Sequence, residues 1–186
     1  MGEFSNFFKF LIQALEDSKI NYVIVGGLVS IHFGRPRLTQ DIDVIVKGDE
    51  DEIRNLARHL EERNFEFDEE DFVRNIIHLK THSTIFHKDF PILHADIKGI
   101  YSELDQEVMN GKTREKIFGI DTWLESIEDN IVAKLVYGSQ QDMEDALSVL
   151  IAQEERINMS SLVEKSSRFK VSDKLKLIIE EKNKII

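Results

Sequence analysis

The 186-residue chain reads as an α/β (α+β) fold: a mixed β-sheet flanked by helices, followed by a helical C-terminal part. Three observations predict it. Short β-branched runs alternate with amphipathic stretches up to about residue 121, glycine, proline and polar turns separate them, and the pattern beyond is helical throughout. The chain divides accordingly into residues 1–122, which hold the sheet, and a helical region, 123–186.

Phe4, Phe7, Phe8, Leu11, Ile12 and Leu15 recur at three- and four-residue spacing, so the opening segment is an amphipathic helix that packs on a sheet. Asn21 to Val25 is a short strand ending in Gly26-Gly27, and Leu28 to Phe33 is a short helix stopped by Gly34-Arg35-Pro36. Asp41 to Val46 reads as the next strand, and Asp49 to Arg63 as a helix with Ile53, Leu56, Ala57 and Leu60 on one face. The acidic stretch Glu66 to Asp71 reads as a solvated loop, and three β-like stretches follow near Ile76 to Thr81, Thr84 to His87 and Ile92 to Ile100. Lys116 to Asp121 reads as a last strand, in a sheet of about four or five. Ser126 with Asp129 and Ser139 with Asp142 each fit the capping-box start of a helix, with Gly138 as the stop between them. They predict helices over Ile127 to Tyr137 and Gln140 to Gln153, followed by Ser160 to Ser166 and Ser172 to Ile186.

Composition narrows the function. The absence of cysteine excludes disulfide scaffolds, thiolate zinc sites and cysteine nucleophiles. No apolar run approaches the ~20 residues that cross a bilayer, and an acid at Glu3 replaces the basic start of a signal peptide. The expected address is the cytoplasm, with no membrane partner. Net charge is −11; residues 157–186 carry +3 and the remainder −14. Such a body repels long nucleic acid and favours divalent cations.

The chemistry concentrates in Val25-Gly26-Gly27 and Asp41-Ile42-Asp43. Two glycines between a strand and a helix let backbone approach a ligand, and amides at a helix start suit phosphate. Asp41 and Asp43, two apart in a strand, point to one face, where two like charges are costly without a cation between them. Hard oxygen ligands select Mg²⁺ or Mn²⁺. Alternation in Ile92 to Lys98 puts His94, Asp96 and Lys98 on one face, so a strand beside that of Asp41 would bring three carboxylates together. Three carboxylates can hold two metal ions for phosphoryl transfer. His78, His82, His87 and His94 fit no zinc spacing and read mostly as sheet-face residues, and Trp123 and the phenylalanines of the first helix read as core.

This order of strand, Gly-Gly at a helix start, Asp-Ile-Asp strand and later Asp resembles the polymerase-β-type nucleotidyltransferase superfamily, in particular its small prokaryotic MNT-type and AbiEii-like members. Arg35 to Asp43, Glu125 to Leu135 and Gln141 to Asp145 also resemble the latter group. The resemblance implies a nucleotidyltransferase-like sheet in residues 1–122 and transfer of NMP from an NTP to an acceptor hydroxyl. It further implies Asp41, Asp43 and Asp96 as catalytic metal ligands, with Asp96 helping to activate the acceptor. Gly26 and Gly27 would cradle phosphates, and Arg37 and Lys134 would offset their charge. Many members have Gly-Ser where this chain has Gly26-Gly27, so a hydroxyl contact falls to Ser30. The acceptor stays open among protein, small molecule and tRNA, as does a toxin–antitoxin role. Two alternatives are a glycosyltransferase, whose Asp-x-Asp also binds nucleotide through metal, and a non-catalytic nucleotide- or partner-binding protein of the same fold using its C-terminal helices.

Overall fold

The computed structural model describes residues 2–185. The elements run α1 (Glu3–Asp17), β1 (Asn21–Val25), α2 (Gly27–Phe33), β2 (Asp41–Lys47), α3 (Glu50–Glu61), β3 (Phe65–Glu66) and α4 (Glu69–Val73). A π-helical turn (Arg74–Leu79) leads to β4 (Ser83–His87), β5 (Phe90–Lys98), α5 (Glu103–Gly111), β6 (Thr113–Ile117) and β7 (Ile120–Leu124). The chain closes with α6 (Ile127–Tyr137), α7 (Gln140–Ala152), α8 (Met159–Arg168) and α9 (Ser172–Ile185). The last residue of the predicted final helix, Ile186, lies outside the described residues.

The strands form one mixed sheet in the order β3-β4-β5-β2-β1-β7-β6, seven strands where four or five are expected. β2 runs antiparallel to β1 and parallel to β5. One face sends Tyr22, Ile24, Ile42, Val44, Ala95 and Ile97 into the main core, which α1 and α3 cover with Phe7, Phe8, Leu11, Ile53 and Leu56. On the other face only a small satellite core forms, of Val23, Ile45, Val108 and Met109 beneath α5. That face is otherwise free to carry polar side chains, and it does. The division at 122/123 falls inside β7, and Leu124, Ile131, Leu135 and Val149 share the main core with the sheet.

Three local readings are corrected. Ile76 to Thr81 is no strand: Arg74–Leu79 is a π-helical turn continuing α4, closed by Lys80 in the left-handed region at φ +52°. Only Ile76 of that turn is buried, so the β-branched pair Ile76-Ile77 reflects one anchored residue, not a pleated face. The acidic stretch from Glu66 is not simply a loop, because Asp68 accepts the Asp71 N–H and starts α4. Lys116 to Asp121 is a hairpin, not one strand: Ile117 pairs with Ile120 across Phe118 and Gly119, both at positive φ.

Candidate active site

β2 and β5 bring the predicted carboxylates together. Asp43 pairs laterally with Asp96 across the parallel strands, and Asp41, two residues earlier, pairs with His94. Alternation holds all three acids on the face away from the main core, because Ile42, Val44, Ala95 and Ile97 point the other way. Asp43 lies between the other two and feels both. Burial, then the charge of Asp41, then that of Asp96 push its carboxyl up to about 6, against partial relief from Lys134 and Lys98. Thr39 Oγ1 donates to Asp41 Oδ1 and Thr84 Oγ1 to Asp96 Oδ1, so each flanking acid has one oxygen held. Among the described residues no three metal-ligating side chains already converge on one point. The donor set nevertheless fits a hard divalent cation: carboxylate oxygens on one face, with an excess of negative charge that raises the central acid.

A cavity of about 410 Å³ opens in front of Asp43 and Asp96 and is lined in part by Gly26, Asp43, Asp96, Lys98, Glu125 and Lys134. Gly26 opens it at φ +75°, ψ −137°, a conformation essentially restricted to glycine. A Cβ on Gly26 would stand 2.4 Å from Asp43 Oδ2, and one on Gly27 would stand 2.8 Å from Arg37 Nη2. The missing side chains are what let a carboxylate and a guanidinium close on this turn.

A buried network beneath the turn is absent from the sequence reading. Glu125, at the end of β7 and 1% exposed, accepts from the Gly26 N–H at 2.8 Å and from Asn130 Nδ2 at 2.7 Å on the same oxygen. The amide of Gly26 is therefore committed to Glu125. Ser30 Oγ is buried within reach of Asn130 Oδ1 (3.1 Å) and the Gly26 carbonyl (3.3 Å), so Ser30 braces the turn from inside. Burial raises the Glu125 carboxyl to about 8. An acid raised in the folded state weakens folding as pH climbs from its unfolded pKa of about 4 to about 8. We expect Glu125→Gln, which keeps the accepting oxygen, to gain stability relative to wild type between pH 5 and pH 8 in urea unfolding; a difference independent of pH would contradict this.

Lys134 and Arg37 meet at α7. Lys134 Nζ lies 2.9 Å from Asp142 Oδ1 and 3.1 Å from Asp145 Oδ2, and Arg37 grips Asp145 with Nε (3.2 Å) and Nη2 (3.1 Å). Lys134 faces the cavity, whereas Arg37 lies against the helix start behind Gly27. Asp145 is buried and neutralised by two cations. Asp145→Ala is expected to cost about 3 kcal/mol in denaturant unfolding, because both cations lose their shared partner. On the opposite wall, Lys98 is bound to Asp105 at 2.8 Å. The alternation that places His94 and Asp96 on the site face also places Lys98 there, so this residue was findable; Glu125 and Asn130 depend on β7 ending beside β1. Of the histidines, His82 lines the cavity and His94 sits on the acid face, while His87 is buried and stacked on Phe10. Trp123 lies under the cations of Lys112 and Arg114.

Residues 4–177 match the model of the family described as nucleotidyltransferase of unknown function (DUF6036). The chain belongs to this nucleotidyltransferase family. No functionally curated protein matches this family member. Its fold is similar to that of an antigenic nucleotidyltransferase-like protein from Paracoccidioides brasiliensis, at 20% identity over 88% of this chain and 91% of that one, with a TM-score of 0.52. ANT(2″)-Ia, solved in complex with adenylyl-2″-tobramycin, aligns at 14% identity over 89% and 95% of the two chains, with a TM-score of 0.60. The lincosamide antibiotic adenylyltransferase LnuA, solved with lincomycin, aligns at 16% identity over 80% and 96%, with a TM-score of 0.52. These likenesses establish a nucleotidyltransferase-like fold. No helix among the described residues of this family member is long and apolar enough to cross a membrane.

Proposed function

We propose that the protein transfers NMP from an NTP to an acceptor hydroxyl, with Asp41, Asp43 and Asp96 holding Mg²⁺ or Mn²⁺. The observation that carries this reading is register: Asp43 and Asp96 are lateral partners lining a cavity beside the Gly26-Gly27 turn, and Asp41 shares their face. When bound, the cation supplies charge neutralisation at the α-phosphate and the leaving pyrophosphate. The acceptor oxygen forms a bond to the α-phosphorus as the bond to pyrophosphate breaks. In this reading Asp96, on β5 beside Asp43, takes the acceptor proton. On the same reading the Gly26-Gly27 helix start faces the phosphates, Lys134 and Lys98 add positive charge from the cavity wall, Arg37 supports the turn from behind Gly27 while bound to Asp145, and Ser30 and Glu125 keep it in place.

The acidic body favours a small-molecule or protein acceptor over long nucleic acid. The adenylylated tobramycin in the ANT(2″)-Ia structure and the lincomycin in LnuA support a small molecule. The MNT-type and AbiEii-like resemblance, and with it a toxin–antitoxin role, rests on Arg35 to Asp43 and the α6–α7 segment. The test is pyrophosphate release from each of the four NTPs with Mg²⁺ across a panel of acceptor alcohols. Release is expected for the wild type and not for Asp41→Ala or Asp43→Ala; equal release by both variants would overturn the reading.

A further inference from the structure

One carboxyl oxygen in the cavity wall has no partner among the described residues. Glu125 is 1% exposed, and both of its hydrogen bonds, from the Gly26 N–H and from Asn130 Nδ2, end on Oε1. Oε2 receives neither. The polar side-chain atoms that are both unpartnered and sealed from solvent are His59 Nδ1, His87 Nε2 and Ser166 Oγ; Oε2 is not one of them, so it keeps an opening. Glu125 lines the cavity together with Gly26, Asn130 and Lys134, and the opening of Oε2 is onto that space.

The surroundings decide what Oε2 carries. A buried carboxylate is kept as an anion when a cation pairs with it. The cation that acts on Glu125, Lys134, is bound to Asp142 and Asp145 instead, and the other charge it feels is the carboxylate of Asp129, which is paired with Lys165. Tyr137, at the end of α6, is a neutral phenol near pH 8. Glu125 is therefore a carboxylic acid at neutral pH, in keeping with a carboxyl that burial pushes up to about 8. In a neutral acid the carbonyl oxygen accepts and the hydroxyl donates. Two N–H donors mark Oε1 as the carbonyl, which leaves the proton on Oε2, facing the cavity.

Other donors at the turn are engaged. The Gly26 amide is held by Glu125, Ser30 Oγ is turned inward to Asn130, and Arg37 is bound to Asp145 behind Gly27. A ligand rich in acceptor oxygens meets the Oε2 hydroxyl in their place. We propose that Glu125 binds the nucleotide directly: its Oε2 hydroxyl donates to a phosphate oxygen of the NTP at the Gly26-Gly27 turn. This assignment rests on the phosphate placement proposed above. An ionised Glu125 would set like charge against the phosphates, so the nucleotide binds with this proton in place or takes one up on binding.

The test is calorimetric titration of ATP with Mg²⁺, and separately of tripolyphosphate with Mg²⁺, at pH 7, 8 and 9 in paired buffers of different ionisation enthalpy, which count protons. Wild type is expected to take up about half a proton at pH 8 and roughly one at pH 9, and to lose about fivefold in affinity between them. Glu125→Gln keeps the accepting oxygen and carries an N–H donor where the hydroxyl was, so this uptake and this loss should vanish in it. Tripolyphosphate should reproduce the difference between the two proteins, because the contact is to phosphate. Equal proton counts and equal pH profiles would overturn the proposal and leave Glu125 as a brace of the turn. Proton release by wild type would overturn it as well, making Glu125 an anionic ligand of the cation. A difference with ATP and none with tripolyphosphate would also overturn it, by moving the contact to the ribose or base. The wild-type proton count decides the matter alone should the variant not fold. Failure of the nucleotide site itself gives a separate pattern, no binding by either protein at any pH, and both readings then fall.

Discussion

Replacing Asp43 by Asn is expected to abolish transfer while making the metal-free protein more stable at pH 7. The two effects share one cause. Asp43 is buried between Asp41 and Asp96, and its carboxyl is pushed up to about 6, so ionising it costs folding free energy. Against an unfolded pKa of about 4, that difference corresponds to about 3 kcal/mol, absent below pH 4 and fully present above pH 6. Asn has the same shape and no charge, so the penalty disappears, and with it the central anionic ligand. Turnover should fall on the order of 10³-fold or more. Urea unfolding in chelator at pH 4 and pH 7 checks the first effect: the stability gain of Asn over Asp should grow with pH. A variant less stable than wild type at both pH values would mean that Asp43 is a structural acid.

Gly26→Ala should disable the site by a different route. At φ +75° and ψ −137° an alanine is strained by about 1–3 kcal/mol. Its Cβ would also stand 2.4 Å from Asp43 Oδ2 and 3.2 Å from Asp43 Cγ, so the carboxylate must leave its position. We expect a lower melting temperature together with at least about a tenfold loss of NTP affinity. Gly119→Ala supplies the control: that glycine has φ +82° but nothing within 4 Å of a Cβ, so it should lose stability and keep affinity. Equal affinity losses in the two variants would point to global strain instead of a displaced Asp43.

Much of this site was legible in the sequence because strand alternation is rigid. Once Asp41 to Val46 and Ile92 to Ile100 are strands in one sheet, the acids must share a face, and only their adjacency had to be learned from the β2/β5 pairing. The capping boxes expected at Ser126 and Ser139 and the stop at Gly138 were equally local; Ser139 forms the full box with Asp142, Ser126 caps its helix by accepting the Asp129 N–H alone, and Gly138 ends α6 in the left-handed region. What the sequence concealed depends on distant partners. α5 was overlooked although Ser102 and Asp105 make a capping box, because only Val108 and Met109 among its apolar residues are fully buried, under a small satellite core. The π-helical turn has the composition of a strand and is fixed by tertiary contacts, including the Tyr101 hydroxyl at 2.9 Å from the carbonyls of Ile76 and Thr81. Ser30 looked like a ligand contact because it follows the glycines; Asn130, a hundred residues later, turns it inward. The sequence offers Arg37 and Lys134 as cations that offset phosphate charge, and only the α6–α7 hairpin shows that Asp145 joins them.

The most direct test is calorimetric titration of ATP, GTP, CTP and UTP into the protein, with and without Mg²⁺, repeated on Asp43→Asn. The carboxylate site predicts that at least one NTP binds, that binding requires Mg²⁺, and that the variant loses it. NTP binding that is indifferent to Mg²⁺ and unchanged in Asp43→Asn would contradict it, placing the nucleotide away from Asp41, Asp43 and Asp96.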